Sequence, residues 1–185
     1  VSSIYEVPLV IYKQNAGQLI KDRLKIKKTP QLGTLKKFIK NYKNPKHQVT
    51  IAMCGKYTEL IDSYKSVMEA FVHAGVENNS SVNIKWIQTE KIKNYKDVRD
   101  VFSNVNGVLI LPGFGSRGSE GKIKIIKYSR ENMVPFLGIC LGLQCAIIEF
   151  ARNVCNMEGA NSTEFNNKTR YPVIDLMESQ RAIKI

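Results

Sequence analysis

The sequence has no apolar run near the ~18 residues that a membrane-spanning helix needs. That excludes a helical membrane protein. Its start, VSSIYEVPLV, carries no basic stretch ahead of an apolar core, so no secretory signal peptide is expected. Cysteine is scarce, at four residues in 185, and none is paired as CxxC; a disulfide scaffold is excluded and no metal-ligand spacing is present. Histidine is scarcer still, with only His47 and His73. There is no recognised nucleic-acid motif and no alternation of aromatics with arginines. The net charge of +12, from 28 basic and 16 acidic residues, would otherwise suit such a partner. The lysines are instead spread along a chain rich in Asn and Ile, which fits either a lysine-rich composition or small anionic ligands such as nucleotides. What remains is ordinary for a globular chain: 43% hydrophobic and 24% charged residues, in a length that suits one domain.

Residues 1–45 read as a linker with one or two amphipathic helices. Leu19, Ile20 and Leu24 have helical spacing, as do Leu35, Phe38 and Ile39, with Pro30 and Gly33 between the two sets. From Val49 the pattern changes. Val49–Cys54 is a short apolar run ending at Gly55, so a strand. Asp62 is placed to cap a helix that carries Tyr64, Val67, Met68, Phe71 and Val72 on one face. Val82, Ile84 and Trp86 alternate with polar residues as a second strand does, and residues 96–104 suit a short helix. Gly107–Leu111 and Val134–Ile139 are further buried strands. Ser119 opens a helix with Ile123, Ile126 and Tyr128, and Leu143, Ala146, Ile147, Phe150, Ala151 and Val154 form one apolar helical face. Alternating strands and helices imply an α/β fold with an open, mostly parallel sheet and helices on both faces. In such sheets ligands bind beyond the carboxyl ends of the strands. Two loops are expected there: 112–118 and the turn at Cys140.

Cys140 lies in Gly138-Ile139-Cys140-Leu141-Gly142, the cysteine version of the GxSxG nucleophile elbow. The flanking glycines leave room for a sharp strand-to-helix turn. At the helix N-terminus the dipole and the free N–H groups favour a thiolate. Those N–H groups, such as that of Leu141, can also hold a developing oxyanion. The alternative is a small buried hydrophobe, as free cysteines often are, and that is the reading for Cys54, Cys145 and Cys155. Leu111-Pro-Gly-Phe-Gly-Ser-Arg-Gly118 is either an ordinary strand-to-helix turn or, beside the elbow, the second half of an oxyanion hole. Glu164, in Gly159-Ala-Asn-Ser-Thr-Glu-Phe165, can pair with an ammonium group or simply be solvated.

Taken together, these segments resemble the class I glutamine amidotransferase domain of the CTP synthase family. The resemblance is carried by Asn44–Ile51, Gly55-Lys-Tyr57, Tyr64-Lys-Ser-Val67, Gly113-Phe-Gly115, Arg117-Gly118, Glu120-Gly-Lys122, Pro135–Gly142, Glu149–Asn153, Gly159–Phe165 and Pro172–Met177. It implies a flavodoxin-like α/β fold. Residues 1–45 become an interdomain linker, and 46–185 the N-terminal two-thirds of an amidotransferase domain cut before its C-terminal part. It also implies a cytoplasmic ligase of pyrimidine biosynthesis, tetrameric at full length. One domain takes ammonia from L-glutamine; a synthase domain uses ATP and Mg²⁺ to aminate UTP to CTP, with GTP as activator. No cofactor, metal, nucleic acid or membrane partner is expected for this chain itself. By motif match Cys140 is the nucleophile. Gly113, Leu141, Gly142, Leu143, Gln144 and Glu164 bind glutamine, with Glu164 on its α-amino group. Gly113, Phe114 and Leu141 supply the oxyanion hole, and Arg117 and Gly118 lie in the lid and GTP region.

The sequence departs from the family pattern twice. Pro112 stands where the family has a glycine, and it has no N–H, so any donor in that loop is Gly113 or Phe114. The base and orienting acid that a cysteine nucleophile needs form a His-x-Glu triplet in the family, placed beyond Ile185. His47 and His73 do not match it, so the isolated chain is expected to be inactive. Two other readings stay open: a catalytically incomplete regulatory or assembly fragment, and another α/β cysteine hydrolase that shares only the elbow.

Overall fold

A computed structural model of the chain describes residues 1–56, 58–177 and 179. Tyr57, the last residue of Gly55-Lys-Tyr57, lies outside the described residues. The chain divides into two compact units, residues 1–48 with 68–81, and residues 49–67 with those from 82 onward.

The first unit is mainly helical. A 3-10 turn, Ile4–Glu6, runs into α1 (Val7–Lys13), followed by α2 (Ala16–Leu24) and α3 (Gly33–Lys43). Three α-helices therefore stand where one or two were expected, because the apolar start coils around Pro8 in the first turn of α1, where proline suits a helix. Tyr5 anchors this start. Its ring lies 4.7 Å from that of Phe38, and its hydroxyl donates to Glu69 Oε2 at 2.5 Å. Burial and the Glu69 carboxylate push the phenol up to about 12.

The second unit carries the sheet. Its strands, apart from the first two residues of β1 and of β2, which fall in the first unit, are β1 (His47–Gly55), β2 (Ser80–Gln88), β3 (Gly107–Ile110) and β4 (Phe136–Gly138), in the order β2-β1-β3-β4. β3 runs parallel to both neighbours, with Cys54 beside Ile110 and Ile110 beside Gly138. In chain order α4 (Lys65–Glu77), which from Met68 onward belongs to the first unit, lies between β1 and β2, α5 (Tyr95–Val101) between β2 and β3, and α6 (Ser119–Glu131) between β3 and β4, and α7 (Leu141–Asn153) follows β4. A two-stranded parallel pair, β5 (Asn161–Ser162) and β6 (Pro172–Ile174), completes the unit. The fold is thus the expected α/β one with a parallel sheet. Its core joins Ala52 and Cys54 of β1, Val108 and Ile110 of β3, Ile123 and Ile126 of α6, and Leu141, Cys145 and Ile148 of α7.

Three local expectations need correction. Asp62 caps no helix; it sits inside a 3-10 turn, Ile61–Tyr64, that leads into α4. β4 is not a buried strand: it is the edge of the sheet, and Leu137 is 60% exposed. The buried face of α7 is also rotated from the expected one. Leu141, Cys145, Ile148 and Ala151 face inward, whereas Leu143, Ile147, Phe150 and Val154 are exposed. The helix carries two apolar stripes, and α6 and β3 cover only one of them.

Candidate active site

The carboxyl ends of β1, β3 and β4 lie side by side, and each feeds the site. β1 ends in Gly55-Lys56, β3 runs into the 111–118 loop, and β4 turns through Cys140 into α7. The elbow is built by close backbone contact. Ile139 N–H donates to Ile110 O at 3.1 Å, locking the turn to the central strand. A Cβ on Gly138 would lie 2.5 Å from the carbonyl carbon of Gly142, and one on Gly142 would lie 2.4 Å from Ile110 O. Only glycine fits at either position.

Cys140 itself has φ +52° and ψ −108°, a backbone conformation that non-glycine residues rarely adopt. Such outliers persist where surrounding structure over-determines them, typically at active sites. The side chain is exposed at the N-terminus of α7 rather than sealed in the core. Gly142 N–H is already used on Ile139 O at 2.9 Å, whereas the N–H groups of Leu141, Gly113 and Phe114 have no partner among the described residues. These three are the donors assigned to the oxyanion hole from sequence. Gly113 and Leu141 are close, since a Cβ on Gly113 would lie 4.0 Å from Leu141 Cδ2. Leu141 and Gly142 are buried, Gln144 is half-buried, and the Leu143 side chain is 56% exposed.

Glu164 also comes to this place. Arg152 on α7 donates through Nε to Ala160 O at 2.6 Å, and Ser162 Oγ accepts from Glu164 N at 3.2 Å. So anchored, the Glu164 carboxylate accepts the Gly115 N–H through Oε1 at 2.6 Å. Arg117 instead pairs with Glu90, Nε to Oε1 at 3.3 Å. It lines a cleft of about 350 Å³ together with Lys56, Glu59, Gln88, Glu90 and Lys91. Gly118 starts α6, and a Cβ there would strike Thr89 Oγ1 at 2.7 Å. His47 and His73 both belong to the first unit, and His73 Nε2 lies 3.0 Å from the Tyr5 hydroxyl. Among the described residues no cluster of three or more His, Cys, Asp or Glu could hold a metal ion, and no helix is long and apolar enough to cross a membrane.

Sequence reasoning missed two lysines. Lys122, 0% exposed, donates to Leu111 O at 2.9 Å, and burial lowers its pKa while the nearby Cys145, Cys54 and Cys140 sulfurs oppose that shift. Lys56, 9% exposed, donates to Phe114 O and, at 3.1 Å, to Gly115 O. A signal for Lys122 was present: Ser119, Lys122, Ile126 and Ser129 have the three- and four-residue spacing of one buried helix face.

The four thiols divide sharply. Cys54 and Cys145 are buried as expected, and Cys140 is exposed; Cys155, expected to be a buried hydrophobe, is exposed as well, because it follows the end of α7. Burial pushes the Cys145 thiol from an ordinary 9.0 up to about 11, and that of Cys54 further. A thiol-exchange reagent at pH 8 should therefore titrate two thiols in the folded chain and four after denaturation. A raised folded value also means that the stabilisation associated with Cys145 is fully present below pH 9.0 and is lost as the pH rises through about 11. Urea midpoints should fall over that window, and fall less in Cys145→Ala; identical profiles would contradict the assignment.

A profile of the class I glutamine amidotransferases matches residues 59–177. The chain is 49% identical over 186 residues to a CTP synthase of Chlorobaculum tepidum, covering 98% of this chain and 33% of that protein. It is 49% identical to a CTP synthase of Methanocaldococcus jannaschii, covering 98% and 35%. It thus spans about a third of the length of these relatives. Among solved structures it is similar to the glutaminase domain of Trypanosoma brucei CTPS with bound acivicin. The TM-score is 0.66 at 33% identity, covering 71% of this chain and 51% of the other.

Proposed function

Since the chain belongs to the class I glutamine amidotransferases, we propose that it forms the glutamine-hydrolysing half-site of a CTP synthase, with Cys140 as nucleophile. The observation that carries this reading is the exposed Cys140 sulfur held on a strained turn at a helix N-terminus, beside backbone N–H groups with no other partner. In the reaction the thiolate attacks the side-chain carboxamide carbon of L-glutamine. The oxyanion that forms is held by N–H donors of Leu141 and of Gly113 or Phe114. Its collapse breaks the C–N bond, and the nitrogen takes a proton and leaves as ammonia. Water then hydrolyses the glutamyl thioester, releasing glutamate and restoring the thiolate. Gly142, Leu143 and Gln144 line the substrate from the first turn of α7, and Glu164 takes its α-amino group.

The proton that the nitrogen needs comes from a general acid. Neither histidine of this chain, His47 or His73, matches the family's His-x-Glu pattern, so the 185-residue chain alone is expected to turn over no glutamine. In the longer enzyme the ammonia aminates UTP on a synthase domain that holds ATP and Mg²⁺, within a cytoplasmic tetramer. By the family resemblance the region of Arg117 and Gly118 takes the GTP activator; the cleft beside it is lined by Lys56, Lys91 and Arg117 together with Glu59 and Glu90.

Covalent labelling separates this reading from a surface cysteine, because alkylation needs no general acid. A chloroketone analogue of glutamine should add once, at Cys140, and leave Cys155, which is also exposed, unmodified by peptide mass mapping. Free glutamine should slow the reaction. Equal labelling of Cys140 and Cys155, or no protection by glutamine, rejects the assignment.

A further inference from the structure

The peptide unit that joins Phe114 to Gly115 is held at both ends by opposite charges. Its carbonyl oxygen accepts a hydrogen bond from the Lys56 ammonium. Its N–H donates to the Glu164 carboxylate at 2.6 Å. A peptide is a dipole with its negative end at oxygen and its positive end at the N–H. A cation at one end and an anion at the other therefore resist rotation of the plane. Little else nearby does. Gly113 and Gly115 have φ +155° and +74°, and glycine backbone rotates freely between such states. The Phe114 ring, 85% exposed, anchors nothing.

Resting on the glutaminase reading, we infer that Lys56 is a positioning residue for that reaction. Its ammonium sets the 114–115 peptide plane, with Glu164 holding the far end, and this restrains the adjoining 113–114 peptide, which carries the Phe114 N–H. Lys56 is suited to the task because it is the first residue after β1 and its side chain is almost wholly buried, so the ammonium spends its donors on the loop rather than on water. Lys122 repeats the device at Leu111 O. Two ammonium groups thus take three carbonyls of the loop, Leu111, Phe114 and Gly115. With the carbonyls drawn toward the protein, the free N–H groups are left for an oxyanion. Glu164 then serves two purposes: Oε1 steadies the loop, and Oε2 remains for a substrate ammonium.

Lys56→Met keeps the apolar stem and removes the charge. Two measurements on the full 185-residue chain test the proposal. In the first, amide exchange at Gly115 should quicken about tenfold in Lys56→Met while β3 amides keep their rates, and Lys56→Arg should restore protection. Unchanged Gly115 exchange overturns the proposal, because a side chain that only fills space would leave that N–H on Glu164. In the second, labelling of Cys140 by the glutamine chloroketone is compared with labelling by iodoacetamide. In both the sulfur displaces a halide to form a thioether, but only the ketone passes through an oxyanion adduct. The ratio of the two rates should fall about tenfold or more in Lys56→Met; a constant ratio overturns the proposal. A wild type that shows no preference for the chloroketone overturns the glutaminase reading itself, and Gly115 exchange then still decides whether Lys56 orients the peptide. Should Lys56→Met fail to fold, Glu164→Ala, at an exposed side chain, should produce the same loss of Gly115 protection, and its retention refutes the clamp.

Discussion

Gly142→Ala is expected to lower the thermal midpoint by about 6–12 °C, the shift that about 3 kcal/mol produces in a chain of this size. The new Cβ would lie 2.4 Å from Ile110 O and 3.0 Å from Ile110 Cβ. Both atoms belong to β3, the central strand bonded to β1 and β4, so neither can yield without disturbing the sheet. Moving α7 away instead would pull Leu141, Cys145 and Ile148 out of the core they share with Val108 and Ile110. The contrast is Gly33→Ala at the start of α3, where a Cβ meets nothing within 4 Å and no such loss is expected. Melting curves followed by circular dichroism measure both variants. Equal midpoints for Gly142→Ala and wild type would mean that α7 does not approach β3 as closely as described.

That contact explains why the elbow was legible in the sequence while its surroundings were less so. Gly138 and Gly142 bracket Cys140 because a strand, a turn and a helix must pass backbone against backbone. Nothing but glycine satisfies that, so the requirement is written in residue type. The strands were legible for a similar reason, since Val49–Cys54 and Gly107–Leu111 are apolar runs that a doubly covered parallel strand demands. The face of α7 was not, because 141/145/148 and 143/147/150 are both apolar at helical spacing and only the position of α6 and β3 distinguishes them. Lys56 and Lys122 stood in segments that carry the family resemblance, yet among 28 basic residues nothing marked what their ammonium groups bind. A lysine whose ammonium binds a loop carbonyl looks, in the sequence, like any solvated lysine. Pro112 shows the converse: its missing N–H was legible in residue type and left Gly113 and Phe114 as the candidate donors nearest the turn, and both amides have no partner among the described residues.

Cys140→Gly is expected to abolish chloroketone labelling at position 140 and yet to raise the thermal midpoint. At φ +52° and ψ −108° a side chain costs about 1–3 kcal/mol of backbone strain, from which glycine is exempt. Glycine adds about 0.5–1 kcal/mol of unfolded-state entropy. The net expectation is a gain of about 1 kcal/mol, or about 2–4 °C. Cys140→Ala separates the two contributions. It removes the sulfur but keeps a Cβ in the strained turn, so it should lose labelling without gaining stability. If Cys140→Gly melts no higher than Cys140→Ala, the turn stores no strain and the geometric case for a nucleophile weakens. The expected order follows from what the turn does. A relaxed strand-to-helix connection would carry the side chain at 140 along the helix and into the packing beside Cys145. The strained one leaves it exposed at the N-terminus of α7, beyond the carboxyl end of β4 and near the 113–114 segment. Packing of Gly138 and Gly142 against their neighbours holds the turn in that state, so the stability lost to strain at Cys140 and the stability lost in Gly142→Ala are two measures of the same closely fitted joint.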